Sequence, residues 1–541
     1  MVRQNIIGSG LWVLLPGTTP AKLSGAGFME GHGSMGIGAG SVELRGSREI
    51  PLRPNKGPEH EKQTTMKRSL LLLLILLSTH LAGRSQEYAQ YYRDLPVELP
   101  VPEAVEIPDR EVCITDFGAV GDGVTLNTEP FRKAISALEK QGGGRLVVPE
   151  GVWMVGLISL KDNIELHLER NAILMATPDR SQFFKTDSRG VRDSKPSPMI
   201  SASKRRNIAL TGEGVIDGNG IQWRPVKRGK VSDTEWQEFK AMGGTEAEEG
   251  SLWYPFNLKH YPNMAESYAE QERMRPHLIR FTDCERVLVQ GVTIQNAPKF
   301  HLIPTRCREV IIDGVKVRCP WNAQNGDAID ISSCRNVLIV NNTIDAGDDG
   351  ICMKAGAGEA GEKYGPCENI LIRDNIVYHA HGGFVIGSEF SGGMKNIVVC
   401  HNRFSNTDTG LRFKSGLGRG GRCEGIYISD IMMSDIRDEA IIFECTYQDR
   451  AVGKKIKEQE FSEAQLRYAP DFSDIHISRV VCHRTETAIA AHGIPSLRCI
   501  HDIRIEDCTF VYLKQEKVLG EGVEIEFSDC RFVPYGPQEA E

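Results

Sequence analysis

Four polar clusters in the second half of the chain combine residue types that could together carry out acid–base chemistry. They are Asn325-Gly326-Asp327, Gly347-Asp348-Asp349, His381-Gly382-Gly383 and Arg412-Phe413-Lys414. Carboxylates come first along the chain, a histidine follows, and two cations come last. If the chain stacks these clusters, three carboxylates face a basic pocket, which suits chemistry on an acidic substrate.

The elements between the clusters are short β-branched runs that recur about every 23 to 33 residues. Repeats of this length indicate a solenoid, in which each unit buries its core only against its neighbours. Neither a leucine consensus nor a 3.6-residue periodicity is present, and Gly, Asn and Asp flank the runs, which favours strands. The sequence therefore predicts an all-β fold, a single-stranded right-handed parallel β-helix. The runs are Val287–Val289, Val310–Ile312, Val337–Ile339, Ile370–Ile372, Ile397–Val399, Ile426–Ile428, Ile475–Ile477 and Ile503–Ile505.

A short helix is predicted ahead of these repeats, where it would cap one end of the β-helix. It begins near Asn127 or Thr128, either of which can cap an N-terminus, and Pro130 is tolerated in the first turn. Gly142-Gly143-Gly144 ends it. A helix at this place would prevent edge-to-edge association. The preceding residues 86–111 contain four prolines and are expected to form an exposed, extended lead-in.

The first 85 residues are predicted to be leader sequence. Met66-Lys67-Arg68 precedes an aliphatic run, Leu70 to Leu77, that is too short to span a bilayer and is followed by small polar residues. This pattern is typical of a signal peptide, so residues 66–85 are interpreted as one, with translation starting at Met66. Residues 1–65 would then be a mis-annotated or disordered leader. The alternative is an apolar core segment or an anchor.

Composition agrees with a secreted β-rich protein. We expect the protein to be secreted or periplasmic, to be a monomer, and to have no stable membrane span after signal cleavage. The formal net charge of −8 argues against a nucleic acid partner. The 14 cysteines include no CxxC spacing, so a zinc site is not expected. We interpret them as small apolar residues stacked in the interior, although a secreted route also permits disulfides.

Strand alignment predicts which cluster residues share a column. Because strand residues alternate faces, Ile329, Ile351, Val385 and Leu411 are predicted to point inward. The same alignment places Ser388 in one outward column with Ser332, Lys354 and Lys414. It also places Asp327 and Asp349 one above the other, about 4.8 Å apart along the stack, and lets Asp348 point elsewhere.

Like charges this close disfavour joint ionisation, so the column of aspartates indicates function rather than stability. The alternative is an Asp-rich turn ladder that binds calcium. The downstream histidine and the Arg-x-Lys pair favour the functional interpretation.

The four clusters resemble the signature of glycoside hydrolase family 28, the polygalacturonases, whose pattern is Asn-Thr-Asp, Gly-Asp-Asp, Gly-His-Gly and Arg-Ile-Lys. Gly326, Ala380 and Phe413 replace the Thr, the first Gly of the third motif and the Ile, and none of these changes removes a charged group. Asp116-Phe117-Gly118-Ala119 and Ile386-Gly387-Ser388-Glu389 also resemble the family. The resemblance covers roughly residues 112–535.

This resemblance implies a pectin-lyase-like β-helix that hydrolyses α-1,4-galacturonosyl linkages with inversion, without a cofactor or metal. Asp348 would be the general acid, and Asp327 and Asp349 would hold and activate the attacking water. His381 would tune the acid. The residues expected to bind substrate are Asn325, Arg412, Lys414, Lys354 and Tyr447. For Lys354, an exposed solvating lysine is the alternative.

The repeat is interrupted between residues 221 and 275, within the predicted catalytic domain, residues 112–541. Arg224-Pro225-Val226-Lys227-Arg228 and Leu252-Trp253-Tyr254-Pro255 resemble family members that act on chain ends. We expect this insertion beside the cleft, where it would favour exo action; a structural flap is the alternative. Three other functions stay open: rhamnogalacturonan or other pectin-backbone hydrolysis within the family, a calcium-dependent pectate lyase, and a non-catalytic glycan-binding β-helix.

Overall fold

The computed structural model describes residues 87–536, apart from residues 187–189, 191–192, 194, 248, 256–273, 448–460 and 496. The predicted signal peptide and leader lie outside the described residues. No helix in the described part of the chain is long and apolar enough to cross a membrane.

Short parallel strands stack into a β-helix with three faces, which we call the first, second and third stacks. The predicted all-β, right-handed parallel β-helix with an N-terminal capping helix is confirmed. The first stack contains Ile158–Ser159, Ile200–Ser203, Ile279–Thr282, Leu302–Thr305, Ile329–Ser332, Ile351–Lys354, Gly382–Ile386 and Thr409–Lys414.

The second and third stacks complete each coil. The second contains Glu111–Cys113, Gly144–Val148, Ile164–Leu168, Arg206–Gly212, Glu285–Gln290, Arg308–Asp313, Arg335–Val340, Cys367–Arg373, Met394–Cys400, Asp471–Phe472, Ile500–Glu506 and Val523–Ser528. The third contains Asp122–Leu126, Gly151–Val155, Ala172–Ala176, Val215–Asp217, Thr293–Gln295, Lys316–Arg318, Thr343–Asp345, Ile376–His379, Arg403–Ser405 and Arg531–Pro534. The long strands Arg422–Glu444, Ile475–His492 and Thr509–Leu519 bend around more than one face.

The interior holds aliphatic, aromatic and cysteine side chains in columns, together with one polar ladder. Asn342, Asn375 and Asn402 are buried on successive coils, and the amide of Asn375 bonds Asn402 at 2.9 Å and the Ile339 carbonyl at 3.0 Å. These amides satisfy turn backbone groups that water cannot reach. The described cysteines form no disulfide, and nearly all are buried, as the interpretation of stacked apolar residues predicts.

The capping helix runs from Thr128 to Lys140 and buries Phe131, Ile135 and Leu138 against the first coils. Asn127 stands at its N-terminus, but its side chain makes no capping hydrogen bond. That amide instead bonds the backbone of the preceding loop, including the Val120 N–H at 2.8 Å.

The sequence predicted an exposed lead-in, but part of this segment is buried. Tyr88 and Leu99 are buried in an apolar cluster with Ile311, Leu338 and Leu371, which point outward from the second stack. This stack carries apolar residues on both faces, so the lead-in removes its outer face from water. A short 3₁₀ turn, Gln90–Tyr92, lies in the lead-in.

The described part of the insertion folds as a small unit. It has three short antiparallel strands, Val226–Lys227, Thr245–Ala247 and Leu252–Tyr254, and a helix, Asp233–Ala241. Val226, Val231, Trp236 and Trp253 form its apolar cluster. Two further short helices, Gly358–Tyr364 and Glu463–Arg467, lie in later loops.

One register prediction is wrong. Phe384, not Val385, pairs with Ile351 and Leu411, so Phe384 and Ile386 belong to the inward column. Val385 is fully buried as well, so this strand is apolar on both faces and its alternation gives no signal. Met353 pairs with Ile386, so the residue that shares the column of Lys354 is Gly387 and not Ser388 as predicted. The Lys354 ammonium donates to the Gly387 carbonyl at 3.0 Å.

Candidate active site

The polar clusters meet where each coil enters the first stack. Ile329 pairs with Ile351, and the Ala328 N–H donates to the Asp349 carbonyl at 3.0 Å, so Asp327 and Asp349 lie on adjacent coils. Asp348 lies one residue earlier in the chain, and its neighbour on the next coil is His381, whose N–H donates to the Asp348 carbonyl at 2.8 Å. The fold thus brings all three aspartates and the histidine to one edge.

Asp348 is the most accessible of the three aspartates, with 19% of its side chain exposed. His381 Nδ1 lies 3.0 Å from its Oδ1. The Asn325 N–H donates to Oδ2 at 3.0 Å, and the Asp349 N–H donates to Oδ1 at 3.1 Å. Asn325 therefore reaches the acid through its backbone, while its side-chain oxygen accepts from Arg275 at 2.8 Å.

Asp349 is almost completely buried and faces the two predicted cations. Lys414 Nζ donates to its Oδ2 at 2.7 Å, and Arg412 Nη1 lies 3.7 Å from Oδ1. Lys414 is itself buried, whereas 21% of the Arg412 side chain is exposed. Lys414 therefore serves mainly as the counter-charge of Asp349, and Arg412 is the more accessible of the two cations.

Tyr447 lies over this cationic corner. Its ring centroid is 5.7 Å from the Arg412 guanidinium, 5.3 Å from Lys414 Nζ and 5.9 Å from the Arg419 guanidinium. Its N–H donates to the Ser415 carbonyl at 2.9 Å. An aromatic face close to cations stabilises their charge.

A fourth aspartate, Asp330, belongs to the same cluster although it was not among the candidate residues. It is fully buried, and Lys354 Nζ lies 3.4 Å from its Oδ1. Lys354 is thus not a freely solvated lysine, because its ammonium faces Asp330 and donates to the Gly387 carbonyl. It provides positive charge beneath the aspartates.

Burial and charge divide the four aspartates into two groups. Burial, with the charges of Asp330 and Asp348, raises the pKa of Asp327 well above its usual range. Burial likewise raises the pKa of Asp330 to about 7. Burial also acts to raise the pKa of Asp349, but the charges of Lys414, Lys354 and Arg412 together lower that pKa. Burial acts to raise the pKa of Asp348 as well, but the hydrogen bond from His381, together with the charges of Lys414 and Lys230, lowers it.

Asp327, Asp348 and Asp349 are also the described residues best placed to hold a cation. One carboxylate oxygen from each lies within 4.8 Å of the others. However, the Lys414 ammonium already takes one oxygen of Asp349, and His381 faces Asp348. The Lys414 ammonium therefore supplies at Asp349 a counter-charge that a metal would otherwise bring.

Sequence reasoning missed two cations that contact the site. Lys230, from the insertion, places Nζ 3.4 Å from His381 Nε2 and 3.5 Å from the Gly347 carbonyl. Arg275 donates to the Gln324 carbonyl at 3.0 Å in addition to Asn325. Neither residue lies in one of the repeated strands, so aligning those strands could not have identified them.

Replacing Asp330 with asparagine is expected to change how stability depends on pH. Because its pKa is about 7 in the fold, against an ordinary value of 3.8, the folded chain binds the extra proton. The stability this provides is present below the unfolded pKa and is lost as pH rises through about 7. The Tm of Asp330→Asn relative to wild type should therefore rise between about pH 5 and pH 8. Equal differences at both pH values would contradict this; exposed Asp507→Asn is the control.

The family comparison agrees with these features. Residues 227–466 match the model of the family "Glycosyl hydrolases family 28". The chain is 28% identical over 351 residues to "Exo-poly-alpha-D-galacturonosidase" of Dickeya chrysanthemi, covering 63% of this chain and 58% of that protein. It is 30% identical over 348 residues to "Probable polygalacturonase" of Vitis vinifera, covering 62% and 63%. The chain thus spans about three fifths of the length of these two relatives.

Solved structures extend the likeness over most of the described coils. The hyperthermoactive exopolygalacturonase of Thermotoga maritima superposes with a TM-score of 0.64 and 31% identity, covering 84% of this chain and 96% of that one. The family 28 exopolygalacturonase of Yersinia enterocolitica, at 21% identity and a TM-score of 0.56, shares the fold. Taken with the four motifs gathered at one edge of the β-helix, these matches show that the chain belongs to glycosyl hydrolases family 28.

Proposed function

We propose that this protein hydrolyses α-1,4-galacturonosyl linkages in pectin with inversion of configuration, acting from chain ends. The observation that carries the proposal is the placing of an accessible aspartate, two buried aspartates and an Arg–Lys pair at one edge of the first stack. Acid chemistry and recognition of a sugar carboxylate are thereby combined within a few coils. Relatives whose names describe the same activity support it.

Asp348 is the proposed general acid because it is the aspartate that reaches the cleft. Its lowered pKa means that it is ionised in the unliganded protein, and a general acid must be protonated. The proposal therefore requires Asp348 to take up its proton when the bound sugar displaces water. Excluding water from a carboxylate favours its neutral form, which is the direction needed.

Asp327 and Asp349 are proposed to hold the attacking water. Inverting glycosidases commonly separate their two carboxyl groups by roughly 6.5–9.5 Å. Here one carboxylate oxygen from each of Asp327, Asp348 and Asp349 lies within 4.8 Å of the others, which is closer. Separation alone therefore does not support inversion. Accessibility does, because Asp327 and Asp349 are only 3% and 2% exposed, so a water reaches them more readily than a sugar carbon does.

Arg412 is proposed to bind the galacturonate carboxylate, with Tyr447 against the ring. A guanidinium can hold a carboxylate through two parallel hydrogen bonds, and Arg412 keeps part of its side chain exposed. Lys414 contributes charge from below while it stays paired with Asp349. Lys354 and Asn325 would then act indirectly, by supporting the aspartates.

Exo action is proposed from the position of the insertion. Lys230 brings this segment into contact with the loop of Asp348, and Arg275, at its far end, holds Asn325. We propose that an insertion held by these two contacts narrows the cleft near the acid. A chain end fits such a cleft better than the middle of a long polymer.

Product size on polygalacturonate tests this proposal. We expect one short product from the earliest time points and a slow fall in viscosity, with rhamnogalacturonan cleaved more slowly in a parallel reaction. A random ladder of oligomers would contradict exo action. Faster cleavage of rhamnogalacturonan would favour the other backbone hydrolases, and absorbance from an unsaturated product that disappears with chelator would identify a lyase.

We further propose that the protein is secreted or periplasmic and acts as a monomer on an acidic polysaccharide or oligogalacturonide. Its net charge of −8 supports the absence of a nucleic acid partner. The basic site within an acidic chain supports an anionic substrate, because local rather than net charge attracts it.

A further inference from the structure

Lys230 contacts His381, the histidine next to the proposed acid. Lys230 lies outside the motifs by which the sequence resembles the family. It follows the strand Val226–Lys227 of the insertion, in a short 3₁₀ turn, Arg228–Lys230. Its side chain is half-buried, and its Nζ lies 3.4 Å from His381 Nε2. The other ring nitrogen, Nδ1, lies 3.0 Å from Asp348 Oδ1.

These two contacts impose opposite requirements on the imidazole. A carboxylate only accepts hydrogen bonds, so the nitrogen facing Asp348 must carry a proton. An ammonium only donates, so the nitrogen facing Lys230 must be bare to accept. Both are satisfied by a neutral ring with its single proton on Nδ1.

We propose that Lys230 is a positioning residue that holds His381 in this neutral Nδ1–H form. The inference rests on the proposed hydrolase function, because it concerns the partner of the proposed acid. Without Lys230, the ring would lie between two carboxylates, since Asp408 Oδ2 is 3.8 Å from Nε2. A ring flanked by two carboxylates favours the doubly protonated imidazolium.

Other charges around the pair are accounted for. Arg437 lies 3.0 Å from Asp408 Oδ1 and partly neutralises it. Burial lowers the pKa of Lys230, and the charge of Asp348 opposes that shift. Lys230 and Lys414 both lower the pKa of Asp348. Asp327, Asp330 and Asp349 also interact with the charge of Asp348, and Lys227 acts on Lys230.

The Lys230–His381 contact keeps the second ring nitrogen of His381 unprotonated while Asp348 gains and loses its proton. A neutral Nδ1–H orients the Asp348 carboxyl group through Oδ1 and leaves the cleft side of that group for the leaving oxygen. An imidazolium would instead hold Asp348 ionised more firmly. The insertion would thus contribute to proton placement as well as to the shape of the cleft.

The test is ¹⁵N NMR of ring-labelled histidine in the unliganded protein, with the His381 signals identified by their loss in His381→Gln. In wild type at neutral pH, Nε2 should be unprotonated. In Lys230→Met it should be protonated, and in Lys230→Arg it should stay unprotonated. Lys227→Met, which removes an exposed lysine of the same insertion, should leave the signals unchanged.

Kinetics supply the second measurement. Lys230→Met should lower kcat by about three- to tenfold, the size of one misplaced hydrogen bond, with KM less affected. The alkaline limb of its pH profile should move to lower pH, because the imidazolium formed in this variant contacts Asp348 Oδ1 at 3.0 Å and favours its ionised form. An unchanged ring in Lys230→Met, or the same change in Lys230→Arg, would overturn the proposal. The ring signals need no substrate, so they test it even if the hydrolase function fails.

Discussion

Asp348→Asn is expected to lower kcat on polygalacturonate by on the order of 10³-fold, with little change in KM. General acid catalysis contributes about 10²- to 10⁴-fold, and asparagine cannot give a proton to the leaving oxygen. The amide is nearly isosteric, and its single oxygen can keep one of the two backbone hydrogen bonds, that from the Asn325 N–H to Oδ2 or that from the Asp349 N–H to Oδ1. Steady-state kinetics on trigalacturonate and on the polymer would measure the loss.

The control for this variant separates chemistry from folding. Asp345→Asn changes a half-exposed aspartate on the third stack of the same coil and should keep nearly full activity. Thermal unfolding should show both variants folded. If Asp348→Asn retained more than about a tenth of the wild-type kcat, the assignment of the acid would be wrong.

Lys414→Met is expected to cost both stability and activity. Lys414 and Asp349 form a buried pair with a 2.7 Å contact, and removing one partner of such a pair costs about 3–5 kcal/mol because the other charge is left buried. Arg412, at 3.7 Å, compensates only in part. Without Lys414 the pKa of Asp349 should rise, so the ionised form that activates water becomes scarce at neutral pH.

Urea denaturation and kinetics together test this expectation. Lys316→Met, at an exposed lysine of the third stack, should change the free energy of unfolding by less than about 0.5 kcal/mol. The double variant Lys414→Met/Asp349→Asn should recover part of the stability but none of the activity. A stable, fully active Lys414→Met protein would show that the pair matters for neither.

The repeat and the column of aspartates could be predicted because both follow from strand geometry. Alternation and the alignment of the strands that follow each cluster place Asp327 next to Asp349 without any structural knowledge. The same reasoning placed Asp348 one residue away, where His381 meets it. It failed at Val385, where both strand faces are apolar and alternation carries no information.

The remaining features depend on contacts that a repeat does not encode. Lys230 reaches His381 from an insertion, so its position depends on how that segment folds rather than on a column. The pairing of Lys414 with Asp349, and the burial of Asp330, depend on side-chain depth. A column of residues identifies which coils a side chain can touch, but not which charges pair or where protons reside.

In the proposed mechanism, water held by Asp327 and Asp349 attacks the sugar directly while Asp348 protonates the leaving oxygen. Time-resolved ¹H NMR of trigalacturonate hydrolysis tests this step, because it records the anomer formed before mutarotation. We expect the newly formed reducing end to appear first as the β-anomer. First appearance of the α-anomer would contradict it, because retention requires a covalent intermediate on a carboxylate that we describe as only holding water.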